Sequence, residues 1–282
     1  MSEAREPAVP PRPGPRRPAR IVSLVPSLTE ALFSLGLGDL LVGVTEWCVH
    51  PAREVAKLPK VGGTKNPDVP GILDLAPELV IANHEENTRR DVERLRAASV
   101  PVWVTYPRTV TEGAELLEAI AELGATPEAV AEVVLPVREG VARAAESVRS
   151  VPPEERARVF CPIWREPWMA VGPGTYADDL IRLCGGENVF GDRTERRYPR
   201  VKRAEIEAAA PQVILLPDEP YAFGPRDAGE LARLDVPAAR DGRIHLIDGT
   251  LVSWYGPRIR RALETLGPLL EPRRPASGPH PI

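Results

Sequence analysis

The feature that most constrains this chain is a set of short apolar segments that occurs twice in the same order. Each first-half segment has a counterpart in the second half: RIVSLV (20–25) and RVFCPIW (158–164), LFSLGLG (32–38) and LIRLCGG (180–186), APELVIA (76–82) and APQVILL (210–216). The first and third pairs are typical of short buried strands. A repeated order of such segments indicates two units of similar architecture.

Helical patterns fill the intervals between the strand candidates. SLTE, after the first strand, predicts a capping box in which Ser27 and Glu30 satisfy each other's backbone amides. Further strand candidates at LVGVT (41–45) and PVWVTY (101–106) also precede helical patterns. Strands that alternate with helices predict an α/β fold, here two Rossmann-like lobes whose parallel sheets are flanked by helices.

One long helical pattern separates the two halves. Thr126 is a plausible N-cap, Pro127 occupies the first turn, and apolar residues recur at helical spacing to about residue 150. At 1.5 Å per residue this helix would span roughly 36 Å, enough to connect two lobes, and Pro136 is expected to kink it. Two successive helices of a single domain are the alternative.

These patterns define the expected domains. The boundaries are a disordered Pro/Arg-rich leader at 1–19, an N-terminal lobe at 20–125, a connecting helix at 126–150, a C-terminal lobe at 151–270 and a disordered tail at 271–282.

Composition limits the partners. The formal net charge is -4 with acidic and basic residues interspersed, which excludes the basic surface that nucleic acids require. Cys48, Cys161 and Cys184 are far apart in sequence, so neither a disulfide framework nor a structural zinc site is expected. The first twenty residues lack the apolar segment of a signal peptide, so we expect a cytoplasmic monomer that does not insert into a membrane.

No catalytic motif is present. The sequence has no GxSxG elbow, no Walker A motif, no HExxH and no GxGxxG after its first strand. We therefore expect a binding protein and not an enzyme.

The loops that follow the strands carry the candidate ligand contacts, because loops at the carboxyl ends of parallel strands form the binding edge of α/β folds. Aromatic side chains in such loops favour a flat, partly apolar ligand stacked between rings, although packing between lobes is the alternative for about half of them. The aromatic candidates are Trp47, Trp164, Trp168, Tyr221, Phe223, Trp254 and Tyr255.

Polar candidates accompany these rings. An imidazole could hydrogen-bond the ligand or act as an axial ligand to a chelated metal, and a neighbouring carboxylate could join it, so metal ligation stays open. Arginines could grip ligand carboxylates bidentately, although Arg258 could instead hold its own loop. The candidates are Glu46, His50, His84, Glu85, Arg108, Arg165, Glu219 and His245.

Several segments together resemble a known family. They are RIVSLVPSLTEALFSLGLGDLLVGVTEWCVHP, LPKVGG, NPD, DLAPELVIA, LIRLCGGENVF, YPRV and APQVILL. In order, over about residues 20–270, they are similar to the Fe/cobalamin-type (class III, helical-backbone) solute-binding proteins of ABC transporters, nearest to the cobalamin-binding members.

The resemblance implies two α/β lobes joined by one long rigid helix, with the ligand cleft between the lobes. It implies a corrinoid-like or metal-chelate ligand, cobalamin or an iron chelate, with no covalently attached cofactor. It also implies coupling to an ABC permease, although Arg89 stands where the cobalamin receptor has an acidic residue. The alternatives are a cytoplasmic sensor or carrier without a permease, and a tetrapyrrole metal chelatase that uses His84 or His245 with Glu85 or Glu219.

Overall fold

A computed structural model describes residues 11, 12 and 17–271, so most of the predicted leader and nearly all of the predicted tail lie outside the described residues. The chain divides into two compact units. The first unit comprises Met1–Gly140 and Trp254–Arg260, and the second comprises Val141–Ser253 and Arg261–Ile282. The chain therefore crosses from one unit to the other three times.

The first unit contains a four-stranded sheet in the order β2-β1-β3-β4, with every neighbouring pair parallel. Its strands are β1 (Ile21–Ser23), β2 (Leu41–Val44), β3 (Leu79–Asn83) and β4 (Val102–Thr105). Its helices are α1 (Pro26–Ser34), α2 (Ala52–Val55), α3 (Val69–Asp74), α4 (Arg89–Ala97), α5 (Val110–Ala121) and α6 (Pro127–Ala129). Every residue of β3 is buried, as expected for an inner strand of a parallel sheet.

The second unit contains a parallel four-stranded sheet in the order β10-β9-β5-β8, and a two-stranded antiparallel hairpin, β6-β7. Its strands are β5 (Ala157–Phe160), β6 (Pro162–Trp164), β7 (Met169–Ala170), β8 (Gly186–Asn188), β9 (Val213–Pro217) and β10 (Ile244–Ile247). The helices from here to the end of the described chain are α7 (Leu135–Arg149), α8 (Tyr176–Leu183), α9 (Arg203–Ala209), α10 (Pro225–Leu231), α11 (Pro237–Arg240), α12 (Thr250–Ser253) and α13 (Arg258–Leu270).

The two parallel sheets share one topology. Numbered by appearance within its own sheet, each runs second strand, first strand, third strand, fourth strand. The repeated segments RIVSLV and RVFCPIW supply the first strands, and APELVIA and APQVILL supply the third. The prediction of two similar α/β units is confirmed. RVFCPIW differs from its counterpart because its second half leaves the sheet to form β6.

The helical segment between the halves contains a specific irregularity. After α6, residues Val130–Val134 form a π-helical turn, and α7 continues from Leu135. Pro136 lacks the amide that an α-helix requires at that position, and its ring crowds the preceding turn, so the π turn lies where the regular pattern cannot hold. The boundary between the two units falls within α7, at Gly140 and Val141.

Residues 254–260 belong to the first unit although they follow the second unit in sequence. We call them the return segment. Arg258 donates from Nε and Nη2 to the two carboxylate oxygens of Glu30 on α1, at 2.7 and 2.9 Å. The predicted capping box is therefore wrong, because α1 begins at Pro26 after an N-cap, Val25, that makes no side-chain hydrogen bond, and Glu30 pairs with Arg258 instead.

A second contact ties the return segment to the end of β3. Buried Asn83 donates from Nδ2 to the hydroxyl of buried Tyr255 at 2.6 Å and to the carbonyl of Thr105 at 3.1 Å. Burial, and then the nearby Glu86 and Glu85 carboxylates, raise the pKa of Tyr255 well above 10. The phenol therefore remains neutral and able to take part in these hydrogen bonds.

The Glu30–Arg258 pair should contribute measurably to stability. Both side chains are less than one-fifth exposed, so we expect Glu30→Gln, which removes the negative charge that Glu30 places beside Arg258, to lower the free energy of unfolding by about 1–3 kcal/mol. The matched control is Glu93→Gln, since the Arg89–Glu93 pair is exposed and should contribute less than about 0.5 kcal/mol. Urea unfolding midpoints measure both, and equal effects would show that the buried pair has no special role.

Removal of the Tyr255 hydroxyl should also destabilise the protein. Tyr255→Phe leaves a buried Asn83 donor short of one acceptor, at a cost of about 1–2 kcal/mol. Because the pKa of Tyr255 is raised in the folded state, the unfolded chain loses this proton first, so the stabilisation is complete below about pH 10 and declines above it. Unfolding of wild type and variant at pH 8 and pH 10.5 tests this. Tyr221→Phe is the control, and a difference that grows with pH would contradict the prediction.

Candidate functional site

The loop after β2 presents an exposed tryptophan. Trp47 is 64% exposed, and neighbouring Glu46 is exposed as well. Cys48 faces inward, where its sulfur lies 3.1 Å from the Thr29 hydroxyl and 3.2 Å from that of Thr45. Burial raises the pKa of the Cys48 thiol, so it is a packed thiol and not a nucleophile.

His50, at the end of the same loop, contacts the return segment. Its ring meets that of Trp254 edge-on, with centroids 5.8 Å apart. The guanidinium of Arg258 lies 4.7 Å from the Trp254 ring centroid. Trp254 and Tyr255, both predicted to contact ligand, are 8% and 6% exposed, so their main contacts lie within the first unit. The sequence predicts them as ligand contacts because their loop follows β10, and this stays a prediction.

The turn after β3 holds a histidine flat on the surface. His84 is exposed, and its ring stacks on that of Tyr106 with centroids 4.4 Å apart and planes 22° apart. Asn83 fixes the turn, because its Oδ1 accepts from the amides of Glu85 at 2.8 Å and Glu86 at 3.3 Å. Lys65 donates to the carbonyl of Glu85. Tyr106 joins the candidate site through its contact with His84 although the sequence did not single it out, and its position directly after β4 is the signal that could have found it.

Arg108 belongs to the same group of side chains. Its guanidinium carbon lies 5.5 Å from the centroid of Tyr106, the ring on which His84 stacks. The ends of β3 and β4 thus bring an imidazole, a phenol and a guanidinium together in the first unit.

The second unit presents an aromatic cluster that runs from an exposed tryptophan to a buried phenylalanine in the core. The hairpin β6-β7 carries Trp164, which is 43% exposed and meets Tyr221 edge-on at 5.6 Å. Tyr221 contacts Phe223 at 4.7 Å, and Phe223 stacks on Trp168 at 5.8 Å with planes 2° apart. Trp168 then meets Phe160 in the core at 6.4 Å. The cluster therefore anchors an exposed indole on a buried base.

Arg165 fixes this hairpin. Its Nη1 and Nη2 donate to the carboxylates of Asp227 and Glu230, both on α10, and its guanidinium lies 5.7 Å from the Trp168 ring centroid. Only 13% of its side chain is exposed. The structure therefore gives Arg165 partners within its own unit, and Asp227 is a buried acid that the sequence pattern did not single out.

Two further predicted contacts lie apart from these rings. Glu219 accepts from the hydroxyl of Ser253 at 2.5 Å. His245 lies within the edge strand β10 and lines a hollow of about 610 Å³ together with Ile244, Leu251 and Leu269. Burial, and then Arg243, lower the pKa of His245. None of the four aromatic candidates of the second unit lines this hollow.

The described residues do not contain a cluster of side chains that could ligate a metal ion. Over residues 11, 12 and 17–271, no group of three His, Cys, Asp or Glu side chains could hold a metal ion. Within the same residues, no helix is long and apolar enough to span a membrane.

Comparison with known proteins identifies similar binding proteins. The family described as periplasmic binding protein matches residues 21–248. The vitamin B12-binding protein of Vibrio cholerae is 30% identical over 205 residues, which cover 73% of this chain and 72% of that protein.

Solved structures extend the likeness over nearly the whole chain. A crystal structure of the periplasmic vitamin B12 binding protein of Vibrio cholerae has a TM-score of 0.78 and 27% identity, over 90% of this chain and 97% of that one. The apo periplasmic heme-binding protein from Roseiflexus sp. RS-1 has a TM-score of 0.73 and 27% identity, over 91% of this chain and 98% of that one.

The expected cytoplasmic location is wrong. It was inferred from the first twenty residues alone, whereas the family match begins at residue 21 and both solved relatives are periplasmic. The relatives are binding proteins, which favours the predicted non-enzymatic role over a chelatase. With the matched topology of its two sheets and a family match over residues 21–248, the chain belongs to the periplasmic binding protein family.

Proposed function

We propose that this protein is a non-catalytic periplasmic binding protein for a tetrapyrrole-type metal chelate, a corrinoid or a haem, which it delivers to an ABC importer. The observation that supports it is one exposed tryptophan in each unit, Trp47 and Trp164, on segments that follow the first or second strand of a parallel sheet. Aromatic side chains at the loop edge of an α/β sheet are typical ligand contacts, and the indole ring supplies the largest apolar face of any side chain.

The two tryptophans suit a flat macrocycle. A macrocycle face that covers about 100 Å² of an indole would gain about 2.5 kcal/mol at 25 cal/mol per Å². Offset stacking of two π systems adds to this gain. Trp164 rests on a packed aromatic base, so little further ordering is needed when a ligand arrives.

The polar groups of the first unit suit the centre and rim of such a ligand. His84 is exposed and held in one orientation by the Tyr106 ring, so its imidazole is presented to a metal that lacks an axial ligand. Glu46, His50 and Glu85 are the further polar contacts in this proposal. The ligand cleft between lobes that the family resemblance implies stays a prediction.

The proposal that the protein delivers its ligand to a permease is supported by its membership of the periplasmic binding protein family. Arg89 is 92% exposed at the first position of α4 and pairs with Glu93 at 2.6 Å. A permease that meets this helix would therefore meet a cation at its first residue, and its own docking surface should be acidic at that point.

The tryptophans provide the test. Titration of purified protein with cobalamin and with haemin, followed by calorimetry or absorbance, should show that Trp47→Ala and Trp164→Ala each weaken binding of the preferred ligand roughly tenfold or more, because each loses stacked apolar area. Leu246→Ala is the matched control, since Leu246 is 47% exposed but lies on β10.

The results separate clearly. Tight binding by wild type with loss in both tryptophan variants and none in the leucine variant supports the proposal. Wild-type protein that binds neither ligand, or tryptophan variants that bind like the leucine variant, would contradict it.

A further inference from the structure

Three arginines follow strands in the candidate loops or stand beside them, and they are equally sheltered from water. The exposed fractions of their side chains are 13% for Arg165, 14% for Arg258 and 20% for Arg108. A guanidinium this sheltered normally has a carboxylate within hydrogen-bond distance, because desolvation of an uncompensated charge is costly.

Two of the three meet that requirement. Arg258 makes two hydrogen bonds to Glu30 at 2.7 and 2.9 Å, and Arg165 bonds to both Asp227 and Glu230. Their charge is already compensated within their own unit.

Arg108 does not meet it. Its nearest carboxylate oxygen is Oε1 of Glu112, 3.9 Å from Nη2, which is too long for a hydrogen bond. Its Nε is buried and has no hydrogen-bond partner among the described residues. The positive charge of Arg108 is therefore the least compensated of the three.

Glu112 cannot readily close this gap. Its other oxygen, Oε2, accepts from the backbone amides of Arg108 at 2.7 Å and Thr109 at 3.1 Å, in the capping box that starts α5. Rotation of this carboxylate towards the guanidinium would leave those two amides without their acceptor. The fold thus commits Glu112 to the helix and leaves Arg108 with capacity for another oxyanion.

The location of Arg108 indicates where that oxyanion comes from. The guanidinium lies over the Tyr106 ring, which also carries the exposed His84 proposed to face the ligand. An anion bound by Arg108 would therefore lie beside the same Tyr106 ring that the His84 imidazole stacks on, at the rim of a ligand that covers His84.

We propose that Arg108 selects ligands with free carboxylates on their periphery, so that the ligand is an acid-bearing metal chelate and not one whose side chains are all amides or esters. This inference rests on the proposed function and names the ligand class for the same site. Arg108 is a specificity-determining residue in it, because carboxylate and guanidinium form a charge-assisted pair that an ester or amide cannot match.

Matched ligand pairs test the inference. We would titrate wild type and Arg108→Met with iron protoporphyrin IX and its dimethyl ester, and with cobyrinic acid and its heptamethyl ester, in one buffer. Wild type should bind the acid of its preferred macrocycle roughly ten- to a hundredfold more tightly than the ester, as expected for one hydrogen-bonded charge pair. Arg108→Met should remove most of that preference and change ester binding less than about threefold.

Arg89→Met controls for a general loss of positive charge, because Arg89 is exposed on α4, and it should keep the preference for the acid. Circular dichroism and the urea midpoint would confirm that Arg108→Met is folded. The two macrocycle pairs show whether a porphyrin or a corrinoid supplies the carboxylate.

The outcomes distinguish this inference from the function on which it rests. Wild-type protein that binds acid and ester equally, or an Arg108→Met variant that loses both alike, would overturn the role of Arg108 and leave the binding function intact. Wild-type protein that binds none of these four compounds or cobalamin would overturn the proposed function itself.

Discussion

A parallel strand can be followed by a parallel neighbour only after the chain has returned along the outside of the sheet, and this constraint organises both units. Every loop that leaves a strand then starts from the same edge of its sheet. In the first unit this edge collects Trp47, His84 and Tyr106 from three different strands. The parallel direction of the strands therefore determines which side chains are brought together at the candidate site.

The arginines near these edges either hold the fold together or are free to contact a ligand, and the sequence alone does not distinguish the two roles. Arg165 and Arg258 hold backbone segments in place through carboxylates of their own unit. Arg108 stacks on a tyrosine beside the candidate surface, with a distant acid that is occupied elsewhere. Whether an arginine acts as a structural clamp or as a ligand contact depends on where the nearest carboxylate lies, and that carboxylate can be 228 positions away, as for Arg258 and Glu30.

The sequence predicted the fold class well, because apolar runs and helical periods are local signals. RIVSLV and APELVIA became β1 and β3, and their counterparts became β5 and β9. The sequence predicts loop positions for Trp47 and Trp164, and both are exposed, Trp47 in the loop after β2 and Trp164 at the end of strand β6. The partners of the remaining candidates are tertiary, so no local pattern could reveal that Tyr255 is buried against Asn83 or that Arg165 pairs with Asp227. The predicted connecting helix contains the first crossing between the units, but the crossings at either end of residues 254–260 could not be predicted, because this segment has no distinctive composition.

The return segment has a consequence for synthesis on the ribosome. Glu30 pairs with Arg258 near the end of the chain, and Asn83 gains Tyr255 there in addition to its partners Thr105, Glu85 and Glu86. An N-terminal unit normally completes its folding while later residues are still being translated. The first unit therefore lacks the ion-pair partner of Glu30 and one hydrogen-bond acceptor of Asn83 until residues 254–260 have been added.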